Sequence, residues 1–190
     1  MKALAPPPRA RNPAGAPDRN ALIRITVGTA ALAAVLFALP VPAAELRPVA
    51  TSPAAPLALR DLEGRSVDLA QLRGKVVLVN FWATYCKPCR AEMPSLDRLR
   101  SRLAPRGLEV LGVDVGEDAD AVRRFTATVP VGFPLLLDPE GGTMARWKAI
   151  ALPTTLVIDR RGRLRARLTG EADWDDPGLV APLEKLMTEP

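Results

Sequence analysis

The chain of 190 residues has no histidine and only two cysteines. A structural zinc site takes four Cys or His ligands, so a single copy cannot close one, and only a site shared between subunits would bring zinc back. No metal and no bound cofactor are expected. Aromatic residues amount to 4%, with one tyrosine, too few for the stacking platform of a single-stranded nucleic-acid binder. An excess of positive charge is missing too, once its position is considered. The net charge is +5, but Lys2, Arg9, Arg11, Arg19 and Arg24 stand against Asp18 alone in the first 44 residues, and the other 21 basic and 20 acidic residues nearly cancel. A nearly neutral folded portion offers no phosphate-tracking surface, so no nucleic-acid partner is expected. No internal repeat is visible.

What is present begins with an address. The basic start runs into ITVGTAALAAVLFAL, Ile25 to Leu39, and then into the small residues and prolines of PVPAA. This is the layout of a secretory signal peptide, with cleavage expected after Ala43 or Ala44. The rival is a retained anchor, because Ile25 to Ala44 is 20 uncharged residues, the length a bilayer span needs. Residues 1–44 are therefore read as a signal peptide or an N-terminal membrane anchor. Both readings place the remainder in the periplasm or at the outer face of the cytoplasmic membrane. Residues 45–56 are proline-rich and without periodicity, which reads as a linker. The folded domain is expected over 57–190.

Strand and helix signals then alternate. LALRDLEGRSVDL suggests two short strands around a Glu63–Gly64 turn, and KVVLVNFWA is the continuous apolar run of a strand buried on both faces. From Pro88 to Leu103 a helix is expected, with Met93, Leu96, Leu99 and Leu103 on one face and Pro105 and Gly107 as its stop. Pro94 should bend it. LEVLGVDV, a helix over 118–128, FPLLLD and a short helix over 143–148 follow. TTLVID and RLRARLTG form a hairpin over Arg160, Arg161 and Gly162, and a helix over 179–187 closes the chain. This alternation implies an α/β fold with a parallel core, which the terminal hairpin turns into a mixed sheet. Arg163, Arg165 and Arg167 alternate with Leu164, Ala166 and Leu168. They read as the solvated face of a strand, with charges that discourage edge-to-edge pairing.

Both cysteines lie in VVLVNFWATYCKPCRAEMP, spaced C-x-x-C between a strand and a helix. As a plain staple the pair would close a four-residue loop, worth only about 2 kcal/mol of chain entropy, in a domain large enough to do without it. The third reading is disulfide exchange. Cys86 falls at or just before the first helical turn, where unpaired N–H groups and the helix dipole favour a thiolate, the nucleophile of exchange. Lys87 adds a positive charge, and Pro88 is tolerated where the N–H has no helical partner. Cys89, three residues on, can resolve a mixed disulfide. The strand before and the helix after make redox chemistry the strongest of the three readings.

The segment NFWATYCKPCRAEMP resembles the thioredoxin superfamily, most closely its exported TlpA/ResA-type branch, over roughly Leu57 to Met187. The hairpin of LRDLEGRSVDLAQLRGK, the helix–strand insertion of DADAVRRFTATVPVGFPLLLD, ALPTTLVIDRRGRL and the closing GEADWDDPGLVAPLEKL carry the resemblance further. It implies a thioredoxin-like fold: a mixed central sheet flanked by helices, with an N-terminal hairpin and a central helix–strand insertion. It also implies a thiol-disulfide oxidoreductase working through a Cys86–Cys89 redox disulfide. Pro153 takes the place of the cis-proline that packs against the cysteines, a position where a cis bond is tolerable. Leu152 would offer backbone hydrogen bonds to substrate. Trp82, Tyr85, Lys87, Pro88, Leu152 and Pro153 form the expected substrate-binding set.

Two departures stand out. Thioredoxins proper carry a buried Asp two residues before the Trp, and here that residue is Asn80. The branch often places an acid three residues past the second cysteine, where this chain has Glu92. Glu92 is thus the candidate acid that takes the proton of Cys89, against the blander reading of a solvated helix residue. Tyr85 replaces a common Trp and keeps an aromatic wall. The resemblance further implies an exported cysteine-containing protein as substrate, apocytochrome c among the family's examples, a membrane thiol-electron transporter as reductant, and a monomer. A disulfide-donating oxidase is the main rival. A thiol peroxidase fits less well, since the P-x-x-x-[TS]-x-x-C pattern meets Val79 and Ala83 before Cys86, and Trp82 and Cys86 before Cys89.

Overall fold

The computed structural model describes residues 44–189. The segment read as signal peptide or anchor lies outside the described residues, apart from Ala44. The chain forms β1 (Arg47–Pro53), β2 (Ala58–Asp61), β3 (Ser66–Asp68), β4 (Val76–Trp82), α1 (Lys87–Leu103), β5 (Leu108–Val115), α2 (Ala119–Thr126), β6 (Leu135–Asp138), α3 (Gly142–Arg146), β7 (Thr154–Ile158), β8 (Arg163–Thr169) and α4 (Pro177–Thr188). The strands make one sheet in the order β1-β8-β7-β4-β5-β6-β2-β3. β4, β5 and β6 run parallel, and the other pairings are antiparallel. This is the mixed, helix-flanked sheet expected, with the β2–β3 hairpin at one edge and α2–β6 as the insertion.

β4 is the axis of the sheet and all seven of its residues are buried. Alternation sends Val76, Leu78 and Trp82 into one core with Met93, Leu96, Leu99 and Leu103 of α1 and Leu179 and Leu183 of α4. Val77, Val79 and Phe81 face the other core, with Leu111, Val113, Leu156 and Trp147. Both faces being covered explains why β4 reads as an unbroken apolar run. Gly112 on β5 is required by close approach. A Cβ there would lie 2.7 Å from Leu135 Cδ2, 3.0 Å from Phe133 Cε2 and 3.2 Å from Trp82 Nε1.

Two expectations are corrected. The stretch 45–56 is not a linker, because its Arg47–Pro53 pairs antiparallel with β8 as the edge strand. Arg47–Pro53 shows no periodicity because it is exposed along most of its length; backbone pairing holds the strand, and Leu46 just before it and Ala54 and Ala55 just after it reach the two cores. Arg163, Arg165 and Arg167 consequently do not guard an open edge, and they are not free in solvent. Arg163 and Arg165 pair with Asp159, Arg165 also with Glu189, and Arg167 donates to the carbonyls of Trp147 and Lys148.

The two hairpins share one turn chemistry, carried by DLEGR and DRRGR. In the first, Asp61 Oδ1 accepts the N–H groups of Glu63 and Arg65, and Oδ2 accepts Arg65 Nε. In the second, Asp159 does the same with Arg161 and Arg163. Gly64 and Gly162 follow at φ 79° and 75°, the left-handed position such turns reserve for glycine.

Candidate active site

β4 delivers the chain to the redox loop, and α1 starts directly after it. Cys86 is the N-cap of α1, with Pro88 in the first turn. The Cys86 sulfur accepts the N–H of Cys89 at 3.3 Å, so one unpaired helix N–H already points at the atom expected to carry charge. The two sulfurs are bonded at 2.01 Å, with Cα atoms 5.3 Å apart. Cys89 is wholly buried, whereas Cys86 retains 9% of its surface. Only Cys86 can therefore meet a macromolecular disulfide. Lys87 is exposed and Pro88 half-buried beside it. Upstream, the loop is tied down by Glu117, whose carboxylate accepts the Thr84 N–H at 2.5 Å and the Thr84 hydroxyl at 2.6 Å.

Glu92 is not a solvated helix residue. It is 1% exposed, on the same face of α1 as Cys89 three residues earlier. Oε1 accepts Asn80 Nδ2 at 2.7 Å, and Oε2 accepts the Ala172 N–H at 3.2 Å and the Trp174 indole N–H at 3.4 Å. Burial pushes the carboxyl up to about 7; the three donors pull it back only partly, and the Glu171 charge adds to the rise. An acid with this value exchanges its proton near neutral pH. Asn80, the departure from thioredoxins proper, is the group that orients it. Its Nδ2 bridges Glu92 and Thr155 Oγ1, the latter at 2.9 Å.

The Leu152–Pro153 peptide is cis, as the resemblance implies. Phe81 of β4 pairs with Thr154 of β7, so Pro153 sits at the end of the sheet from which the redox loop departs. Leu152 is partly buried between the two cores. Tyr85, directly before Cys86, is 72% exposed. Trp82 requires correction: it is completely buried and packs tilted against Phe125, with ring centroids 5.1 Å apart. As the last residue of β4 it faces inward with Leu78, so it supports the site from beneath and does not touch substrate.

Several site residues escape a reading of the sequence. Thr155, Ala172 and Trp174 build the Glu92 socket, and they come from β7 and the segment before α4, remote in sequence. Thr84 and Glu117 form the loop clamp. Ile150, 89% exposed three residues before the cis-proline, is an apolar side chain left open in the Pro153 loop. Its one signal is its place in AIALP, a nonpolar run too short for a strand.

Residues 50–167 match the model of the AhpC/TSA family. The thiol-disulfide oxidoreductase ResA of Geobacillus thermodenitrificans is 38% identical over 118 residues, which covers 62% of this chain and 68% of that protein. The ResA of Halalkalibacterium halodurans is 37% identical over 112 residues, covering 59% and 64%. Among solved structures, a secreted thiol-disulfide isomerase from Corynebacterium glutamicum superposes with a TM-score of 0.65 at 26% identity, covering 72% of this chain and 86% of that one. A thiol:disulfide interchange protein of the thioredoxin family from Chlorobium tepidum does so with a TM-score of 0.61 at 26% identity, covering 72% and 98%.

Proposed function

The chain belongs to the AhpC/TSA family and is a ResA-like thiol-disulfide oxidoreductase, and from that premise we propose that it reduces protein disulfides outside the cytoplasm through its Cys86–Cys89 dithiol. The observation that carries this reading is the asymmetry of the pair. Cys86 is the outward sulfur at a helix N-terminus, and Cys89 is the sealed one, on the helix face that carries a buried acid titrating near neutrality.

The cycle follows from that asymmetry. The Cys86 thiolate attacks one sulfur of the substrate disulfide; the other substrate sulfur leaves as a thiolate and takes a proton from solvent. Cys89 then gives its proton to the Glu92 carboxylate and attacks the Cys86 sulfur. The mixed disulfide breaks, the second substrate thiol is released, and two electrons have passed to the substrate. Tyr85, Lys87, Pro88 and the Leu152–Pro153 loop frame the exposed face of Cys86 and form the substrate contact. The substrate is an exported cysteine protein, with apocytochrome c as one candidate. A membrane thiol-electron transporter restores the dithiol, since an oxidising compartment supplies no reductant of its own. The protein works as a monomer, exported by residues 1–44 or anchored through residues 25–44.

Trapping tests this. Cys89→Ser should remain covalently attached to substrate through Cys86 and release it with dithiothreitol, and Cys86→Ser should trap nothing. A reduction potential well below that of a strong oxidant, about −120 mV, is expected. A value at or above it, or equal trapping by both variants, would overturn the reductase reading.

A further inference from the structure

A second buried acid stands on the other flank of the redox loop. Asp114 of β5 is the register partner of Trp82 and has no exposed surface. Neither of its carboxyl oxygens has a well-formed hydrogen bond among the described residues, and the nearby backbone N–H of Glu117 pulls the acid back only partly. A buried carboxylate so poor in donors is costly, whereas a neutral acid is not. The polar group next to it is another carboxyl. Glu117, three residues on, lies close enough to hydrogen-bond a protonated Asp114, and Asp118 adds a further negative charge. Burial, reinforced by these two acids, pushes Asp114 up to about 8. The register neighbours on the flanking strands, Trp82 of β4 and Leu137 of β6, carry no charge. Glu117 meanwhile points to the redox loop, where it holds the N–H and hydroxyl of Thr84, two residues before Cys86.

We propose that Asp114 carries a proton at neutral pH and donates it to Glu117, so that the two carboxyls share one proton and one negative charge, and that this pair positions Thr84 and sets the charge felt by Cys86. Asp114 is a positioning residue, acting through Glu117 and Thr84. The shared proton relieves repulsion, because a second negative charge on the buried Asp114 would stand beside that of the partly buried Glu117. It also leaves Glu117 with the negative charge that best accepts the two Thr84 donors. When the proton is lost, the carboxyls must separate. The clamp on Thr84 loosens, and a second negative charge near the loop disfavours the Cys86 thiolate. Glu92 cannot take this role, since its oxygens are committed to Asn80, Ala172 and Trp174.

Only the effect on Cys86 rests on the reductase reading, and the tests are separable. In an E92Q background, infrared titration of the oxidised protein should show one protonated-carboxyl band at neutral pH that disappears as the pH rises through about 8. The further change D114N should remove it. Absence of the band in E92Q, or its survival in the double variant, would overturn the proposal whatever the thiols do. The Thr84 amide resonance reads the clamp. D114N, whose amide can still donate to Glu117, should keep its shift, and D114L should lose it; an unchanged Thr84 amide in D114L would overturn the positioning role. In the reduced protein, the pH profiles of Cys86 alkylation in D114N and in the natural chain should coincide below about pH 8 and separate above it, with D114N the faster. Superimposable pH profiles would overturn the influence on Cys86. A chain that fails to reduce any disulfide yet shows the infrared band would instead refute the reductase reading alone.

Discussion

Glu92→Gln tests whether the site acid is sealed from water. The amide has nearly the volume of the carboxyl. Its oxygen can keep the Ala172 and Trp174 donors, and its NH2 can face Asn80, whose Oδ1 is unpartnered and free to turn inward. The variant should therefore fold. In the natural chain, burial lifts the folded-state value from 4.5 to about 7. The folded protein then holds the proton over a pH range where the unfolded chain has lost it. The resulting contribution is complete below the ordinary carboxylate value and is lost as pH rises through about 7. At 1.36 kcal/mol per pH unit, the loss is about 3 kcal/mol. Urea unfolding of the oxidised protein at about pH 4 and about pH 8.5 measures it. The natural chain should lose about 3 kcal/mol more than Glu92→Gln across this interval, because all other titrations are common to both. A difference below about 1 kcal/mol would mean that water already reaches Glu92, and the proton-exchange role built on its burial would fall with it.

Two further substitutions probe the frame around the site. Gly112→Ala should cost about 1–3 kcal/mol, since its Cβ would press on Leu135, Phe133 and the Trp82 indole together; a melting temperature within a degree of the natural chain's would show that this layer can give. Asp159→Ala should cost about 3 kcal/mol at neutral pH, because it strips both the turn and the Arg163 and Arg165 pairs. Burial by itself would raise the Asp159 carboxyl, but Arg163, Arg165 and Arg161 together hold it below its ordinary value. Its contribution is therefore present above 3.8 and lost as the pH falls through the lower folded-state value, so denaturant midpoints of the two proteins should converge in acid.

The elements that sequence reveals are those whose burial is periodic or continuous. β4 shows as VVLVNFW because both its faces are covered, and α1 shows through Met93, Leu96, Leu99 and Leu103 because one face is. β1 is exposed along most of its length, and the physics that holds it, backbone pairing with β8, leaves no trace in residue type. The same divide runs through the site. Cys86, Cys89 and Pro153 are legible because each chemistry needs that residue type at that place. The Glu92 socket is not, since an N–H of Ala172 and a hydroxyl of Thr155 are available from almost any sequence and are brought in by tertiary packing. Trp82 is misplaced by sequence for a related reason. Proximity to the cysteines along the chain says nothing about the side of the strand on which the ring falls, and the alternation of β4 decides that.

Asn80 reads in the sequence as the loss of a proton carrier, but it is better understood as the condition for having one elsewhere. Its side chain lies 2.7 Å from Glu92 Oε1. A carboxyl at position 80 would put two acids in contact in a buried site, and two such groups cannot both ionise. One would be forced to remain protonated far above neutrality and would be useless as an acceptor for Cys89. With an amide there, the contact becomes a donated hydrogen bond, which draws Glu92 down from the high value that burial alone would impose to about 7. The second donor of Nδ2 goes to Thr155 of β7, which favours this orientation of the amide while residue 92 is a carboxyl. Strand and helix therefore hold complementary halves of the proposed proton carrier. The acid comes from α1, on the face of Cys89, and the neutral donor that tunes it comes from β4. On the proposed role of Glu92 neither half suffices alone: the acid without the amide loses the donor that lowers it, and the amide without the acid carries no proton.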